Sequence, residues 1–83
     1  MNNHQELIKK LQLRAHLRGS KENCELLGSF SKKHLCNLDK KRINDFEKLL
    51  DYSDPEITDW LLGYSRPPEH LTKIIESIIK FYK

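Results

Sequence analysis

Apolar residues recur at helical intervals through five successive stretches of this chain and nowhere alternate over the length of a strand. From about Asn3 to Leu17, Leu7, Leu11 and Ala15 repeat every four residues, and Ile8 and Leu13 widen the stripe into the buried face of an amphipathic helix. A second run, from near Ser20 to about Leu35, places Leu26, Leu27, Phe30 and His34 at the same spacing. The third follows Leu38-Asp39 and carries Ile43, Phe46, Leu49 and Leu50, and the fourth carries Ile57, Trp60, Leu61 and Tyr64. The fifth, about Pro68 to Tyr82, has Leu71, Ile74, Ile75, Ile78 and Ile79 on one side. This pattern predicts an all-α fold, a single small domain over residues 1–83 built as a bundle of five short helices.

Polar and special residues punctuate the runs. Gly19 separates the first two and suits a left-handed C-cap or a tight corner. Gly28, followed by Ser29, interrupts the second helix at a cost of about 1 kcal/mol relative to alanine, which implies close packing against another helix. Asp39 is placed to N-cap the third, with Leu38 and Ile43 at the spacing of a hydrophobic staple. Asp54 is expected to cap the fourth, with Pro55 at its first position. Gly63 helps to stop that helix, and Pro67 forces Arg66 out of the helical region. Glu6 with Lys10, Glu69 with Lys73 and Glu76 with Lys80 have the spacing of helical ion pairs.

A chain of 83 residues buries only about 60% of its unfolded surface, so the core is small. A charged fraction of 33% beside 37% hydrophobic residues describes a soluble folded protein rather than a disordered or fibrous one. No apolar run approaches the ~20 residues of a membrane span. Met1 to Lys10 lacks a signal peptide's apolar region and includes Glu6, which a transit peptide avoids, so a cytoplasmic location is expected. The net charge of +3 comes from basic residues interleaved with acids, which fits a solvated surface or an acidic partner. Cys24 and Cys36 form no C-x-x-C motif, and free thiols are expected. On one helix they would lie about 18 Å apart, too far for a bridge.

The histidines at positions 4, 16, 34 and 70 are scattered, with no metal-ligand spacing, and no glycine-rich phosphate loop is present. An enzyme is not expected, nor a catalytic or metal site. A helix-turn-helix reading of the third and fourth helices fails on charge. The would-be recognition helix carries Glu56 and Asp59 and no arginine or lysine, so it repels phosphate. Lys40-Lys41-Arg42 is either a solvated turn or an anionic contact, and Trp60 is either core or an interface anchor. Lys10, Arg14 and Arg18 line up with like charge, either as a screened ridge or as a partner surface. Arg18 and Glu22 each have an ordinary dipole-compensating explanation, yet together they flank a glycine that lets another backbone approach closely. A protein-interaction module is the remaining class, with a generic helical adaptor or a small basic nucleic-acid-binding domain as alternatives.

Arg18-Gly19-x-x-Glu22 resembles the R-G-x-x-E signature of the succinate dehydrogenase flavinylation factors, small helical proteins of bacteria and mitochondria. The similarity continues in register through Glu22-Asn23-Cys24, Leu26-Leu27, Phe30, His34-Leu35, Phe46, Leu49, Leu50, Asp54-Pro55 and Trp60-Leu61, over roughly residues 10 to 68. The Glu-Asn-Cys version looks closer to mitochondrial members than to bacterial ones, which commonly have Glu-Leu-Asp. Without a visible presequence, an α-proteobacterial, cytosolic origin fits. The family usually has methionine where Ser20 stands and a basic residue where Leu17 stands. The resemblance implies a non-catalytic assembly factor that binds the flavoprotein subunit of succinate dehydrogenase and promotes covalent attachment of FAD to one of its histidines. The fumarate reductase flavoprotein is left open as a second client. FAD is then the partner's cofactor, none is held stably by this chain, and the free protein is expected to be monomeric. The partner-binding residues it implies are Arg18, Gly19 and Glu22, with Ser20, Asn23 and Arg14 beside them, while Cys24 serves helix packing.

Overall fold

The computed structural model describes residues 3–17 and 21–82, apart from the side chains at positions 3, 4, 22 and 82. Five α-helices follow one another: α1 (Asn3–His16), α2 (Lys21–His34), α3 (Lys40–Leu49), α4 (Asp54–Leu62) and α5 (Thr72–Tyr82). Short 3-10 turns, Leu35–Asn37 and Glu69–Leu71, follow α2 and precede α5. The fifth helix therefore begins later than its apolar stripe suggests. Because Glu69 sits in the 3-10 turn, it is out of α-helical register with Lys73. Among the described residues neither that pair nor Glu76 with Lys80 closes to an ion pair.

The caps show why the helices begin and end where they do. Asp39 is extended (φ −75°, ψ 170°), and its carboxylate accepts the Arg42 N–H at 2.9 Å. At α4 the cap is Ser53 rather than the expected Asp54. Its hydroxyl accepts the Glu56 N–H at 3.4 Å and donates to the Glu56 carboxylate at 3.2 Å, so cap and first turn are joined by two bonds. Asp54 instead accepts a bond from Asn23 of α2. Gly63 ends α4 in the left-handed region (φ 82°), where the Gly63 and Tyr64 N–H groups return to Trp60 and Asp59 carbonyls at 3.4 and 2.8 Å. That reversal throws Tyr64 outward, so it leaves the stripe it shares in sequence with Ile57 and Trp60 and is 78% exposed.

The core collects Leu11, Ala15, Leu27, Phe30, Leu35, Ile43, Phe46, Leu49, Ile57, Leu71, Ile74, Ile75 and Ile78, with Trp60 also buried. Trp60 is thus a core residue, edge-on to Tyr52 at 5.0 Å. Phe30 links Phe46 and Phe81 at ring separations of 5.9 and 5.8 Å, and His34 lies against Phe30 and Phe81. Leu13 departs from expectation and is 59% exposed. At about 100° per residue it stands some 200° around α1 from Leu11, on the far side from the core. Neither cysteine is in a disulfide, and no described helix is long and apolar enough to cross a membrane.

Candidate functional site

Arg18, Gly19 and Ser20 lie outside the described residues, as does the side chain of Glu22. The frame on either side of them is well defined. Helix α1 closes with the Leu17 N–H shared between the Leu13 and Arg14 carbonyls at 3.1 and 3.2 Å. Helix α2 starts at Lys21 and returns antiparallel to α1, as the pairing of Gln12 with Ser31 and of His16 with Gly28 shows. The Gln12 amide donates to the Ser31 carbonyl at 3.1 Å, while the Ser31 hydroxyl is satisfied within α2 by the Gly28 carbonyl at 2.9 Å. The close approach expected at Gly28 is made by the imidazole of His16. A Cβ there would sit 2.6 Å from its Nδ1. Cys24 packs at the same crossing, with its thiol 3.1 Å from the His16 carbonyl.

Asn23 faces inward instead of toward a partner. It is 1% exposed, and its amide nitrogen donates to the Asp54 carbonyl at 3.2 Å and to the Asp54 carboxylate at 3.1 Å. Its oxygen accepts the Thr58 hydroxyl at 3.4 Å. A buried amide needs such partners, and α4 supplies them. Asn23, expected beside the partner contact, thus spends its amide on bonds inside the fold.

Arg14 is also engaged within the molecule, with its guanidinium 2.8 Å from Asp51. Asp51 offsets the middle charge of the Lys10, Arg14, Arg18 series, so that ridge is not one of uncompensated cations. The pair is at the surface, 38% and 68% exposed, and contributes at most about 1 kcal/mol. Arg14 keeps enough exposure to meet a partner as well. Beside it, Leu13 and Leu17 are 59% and 72% exposed, one helical turn apart, and form an apolar ridge that runs into the corner. Reading the α1 stripe as purely inward-facing misses this ridge. The available signal is angular, since Leu13 and Leu17 share a face that Leu11 and Ala15 do not.

Among the described residues no group of three His, Cys, Asp or Glu side chains is placed to hold a metal. The depressions between α3 and α5, of about 520 and 480 Å³, are lined by mixed charges that include Arg42, Lys73 and Glu76 and take in no residue of the corner.

Residues 9–82 match the family model described as flavinator of succinate dehydrogenase, a span that takes in the corner and extends through α5. The chain belongs to this family. Among its relatives, the FAD assembly factor SdhE of Acetobacter pasteurianus is 32% identical over 73 residues, which is 87% of this chain and 67% of that protein. Succinate dehydrogenase assembly factor 2, mitochondrial, of Dictyostelium discoideum is 31% identical over 78 residues, or 94% of this chain but 55% of that protein. A second FAD assembly factor SdhE, from Legionella pneumophila, is 31% identical over 61 residues, 74% of this chain and 77% of its own length. This flavinator-family chain thus spans about half the length of its mitochondrial relative. No solved structure matches it.

Proposed function

We propose that this chain is a non-catalytic assembly factor that binds the flavoprotein subunit of succinate dehydrogenase in the bacterial cytoplasm and promotes covalent attachment of FAD to it. Membership of the flavinator family over residues 9–82 is the observation that carries the reading. The bond between flavin and histidine is made by cofactor and flavoprotein, and the factor's part is to hold the client so that the two meet in a reactive arrangement. On this reading it needs no flavin site of its own, and the free chain is a monomer.

Docking is assigned to the corner. Arg18 supplies a charge-assisted hydrogen bond to an acceptor on the flavoprotein, Gly19 leaves room for the partner backbone, and Glu22 pairs with a donor or steadies Arg18. Ser20 and Arg14 border the contact. The exposed Leu13 and Leu17 supply apolar area next to it, where burial of each leucine is worth up to about 1.5–3 kcal/mol.

The test separates folding from binding. Arg18→Ala and Gly19→Arg variants are expected to keep wild-type helicity by circular dichroism. Their affinity for the purified flavoprotein subunit is expected to fall by about ten- to hundredfold, corresponding to loss of a charged hydrogen bond of about 1.5–3 kcal/mol. Covalent flavin, read as fluorescence of the denatured flavoprotein in a gel, is expected to fall in cells lacking the protein. Unchanged covalent flavin in those cells would point to a generic adaptor with another client. Folded variants that bind normally would remove the docking site from the corner.

A further inference from the structure

We propose that the outer face of α5, with α3 on one side and the turn at residues 63–67 on the other, docks a short acidic segment of another protein that carries one large apolar side chain. This surface takes in no residue of the corner, and the inference stands without the docking reading above.

Three depressions, of about 520, 480 and 440 Å³, run together along α5. The first two share Arg42 and Lys73, the first and third share Ile79, and Glu76 borders all three. From Thr72 to Lys80 the helix advances about 12 Å, the length of about four residues of extended chain. The third depression is the apolar end. Its buried and half-buried lining includes Trp60, Pro67, Ile75 and Ile79, and its exposed lining includes Tyr64 and Arg66. The left-handed turn at Gly63 that takes Tyr64 off the core stripe places its ring here. An aromatic wall over a hollow with an apolar floor suits one large apolar side chain.

Charge decides what flanks that side chain. Arg42 and Asp45 answer each other at 3.2 Å. Lys41, Arg66, Lys73 and Lys80 then stand against Glu69 and Glu76, four exposed cations and two exposed acids. Among the described residues none of these six closes an ion pair. Lys41 and Lys73 also occupy the first turns of α3 and α5, where cations are unfavourable, so their charge is not there for helix stability. A segment that lays carboxylates over Lys41 and Lys73 and its apolar side chain between Tyr64 and Ile79 satisfies both ends. A nucleic acid does not, since its regular phosphates would also meet Glu69 and Glu76.

The probe is a fluorescein-labelled peptide, Glu-Glu-Ser-Phe-Ser, titrated with the full chain and read by fluorescence anisotropy. Lys41→Glu with Lys73→Glu is expected to weaken binding at least about tenfold. Both changes place an acid in a helix first turn, so the thermal midpoint is expected not to fall. Lys9→Glu with Lys32→Glu makes the same change of net charge on α1 and α2 and is expected to cost less than about twofold. Tyr64→Ala is expected to weaken the peptide about fivefold but to leave unchanged the weaker binding of the same peptide with alanine for phenylalanine. Equal losses in the two charge-reversed variants, a Tyr64 effect that ignores the phenylalanine, or no binding at millimolar peptide would each overturn the proposal. So would displacement of the peptide by phosphatidylserine vesicles or a duplex oligonucleotide at equal charge concentration. Self-association in sedimentation that the Lys41 and Lys73 reversal abolishes would give the surface to a second copy of the chain and overturn it as well.

Discussion

At Gly28 two effects of similar size oppose each other. A glycine inside a helix costs about 1 kcal/mol relative to alanine. A Cβ at this site, however, would meet the His16 imidazole at 2.6 Å (Nδ1), 2.7 Å (Cε1) and 3.3 Å (Cγ). Since Cγ is itself crowded, turning the ring about its outer torsion does not relieve the contact. The imidazole has to leave α2 by a change at its inner torsion. Gly28→Ala is therefore expected to alter stability by less than about 1 kcal/mol. In a His16→Ala background the same change should stabilise by about 1 kcal/mol, measured by urea unfolding. A destabilised double variant would show that something other than His16 requires the glycine. Asn23 illustrates the same dependence on a neighbour, since its amide is bonded to Asp54 and Thr58 of α4.

The short helices α3 and α4 depend on their first turns. In α3 three cations, Lys40, Lys41 and Arg42, occupy the positive end of the helix dipole, which is unfavourable. Two acids answer them, with Asp39 accepting the Arg42 N–H and Asp45 pairing with the Arg42 guanidinium at 3.2 Å. In α4 the acids Asp54 and Glu56 already suit the dipole, and Ser53 caps the first turn. Removing the cap should hence be more costly in α3. Asp39→Ala is expected to lose about 1–2 kcal/mol, and Ser53→Ala about 1 kcal/mol. The Asp39 effect should shrink in high salt because part of it is charge compensation. Chemical denaturation at low and high salt checks both, and an equal, salt-independent pair of losses would contradict the dipole argument.

The whole molecule has a radius of gyration of 11.9 Å, close to the about 12 Å expected for a folded chain of its length. Its core is one cluster shared by all five helices, so few side chains carry much of the stability. Phe46 is fully buried, and its ring lies 5.9 Å from that of Phe30. Phe46→Ala should cost about 3–5 kcal/mol, comparable with the entire stability of a small domain. Its thermal unfolding is expected to lose most of its cooperativity or to fall by well over 10 °C. A shift of only a few degrees would mean that the core closes around the lost ring. Helices α1 and α2 are braced by this core, and α2 is tied to α4 through Asn23.

The helix count, the buried stripes, the Asp39 cap and the Gly63 stop were all readable from residue order, because each depends on residues no more than about four positions apart. The family signature at Arg18, Gly19 and Glu22 was readable for a similar reason, being a short pattern with downstream residues in register. Contacts between distant positions were not. Arg14 meets Asp51 37 positions on, and Asn23 meets Asp54 31 positions on. Nothing in the spacing of either residue announces its partner. Ser53 and Asp54 are equally good caps in isolation, and in the fold Ser53 caps α4 while the Asp54 carboxylate accepts the Asn23 amide. The outward turn of Leu13 likewise depends on which side of α1 the other helices cover. Local periodicity decides which segments become helices, whereas the pairing of their faces decides which polar groups are spent inside the fold and which stay on the surface for a partner.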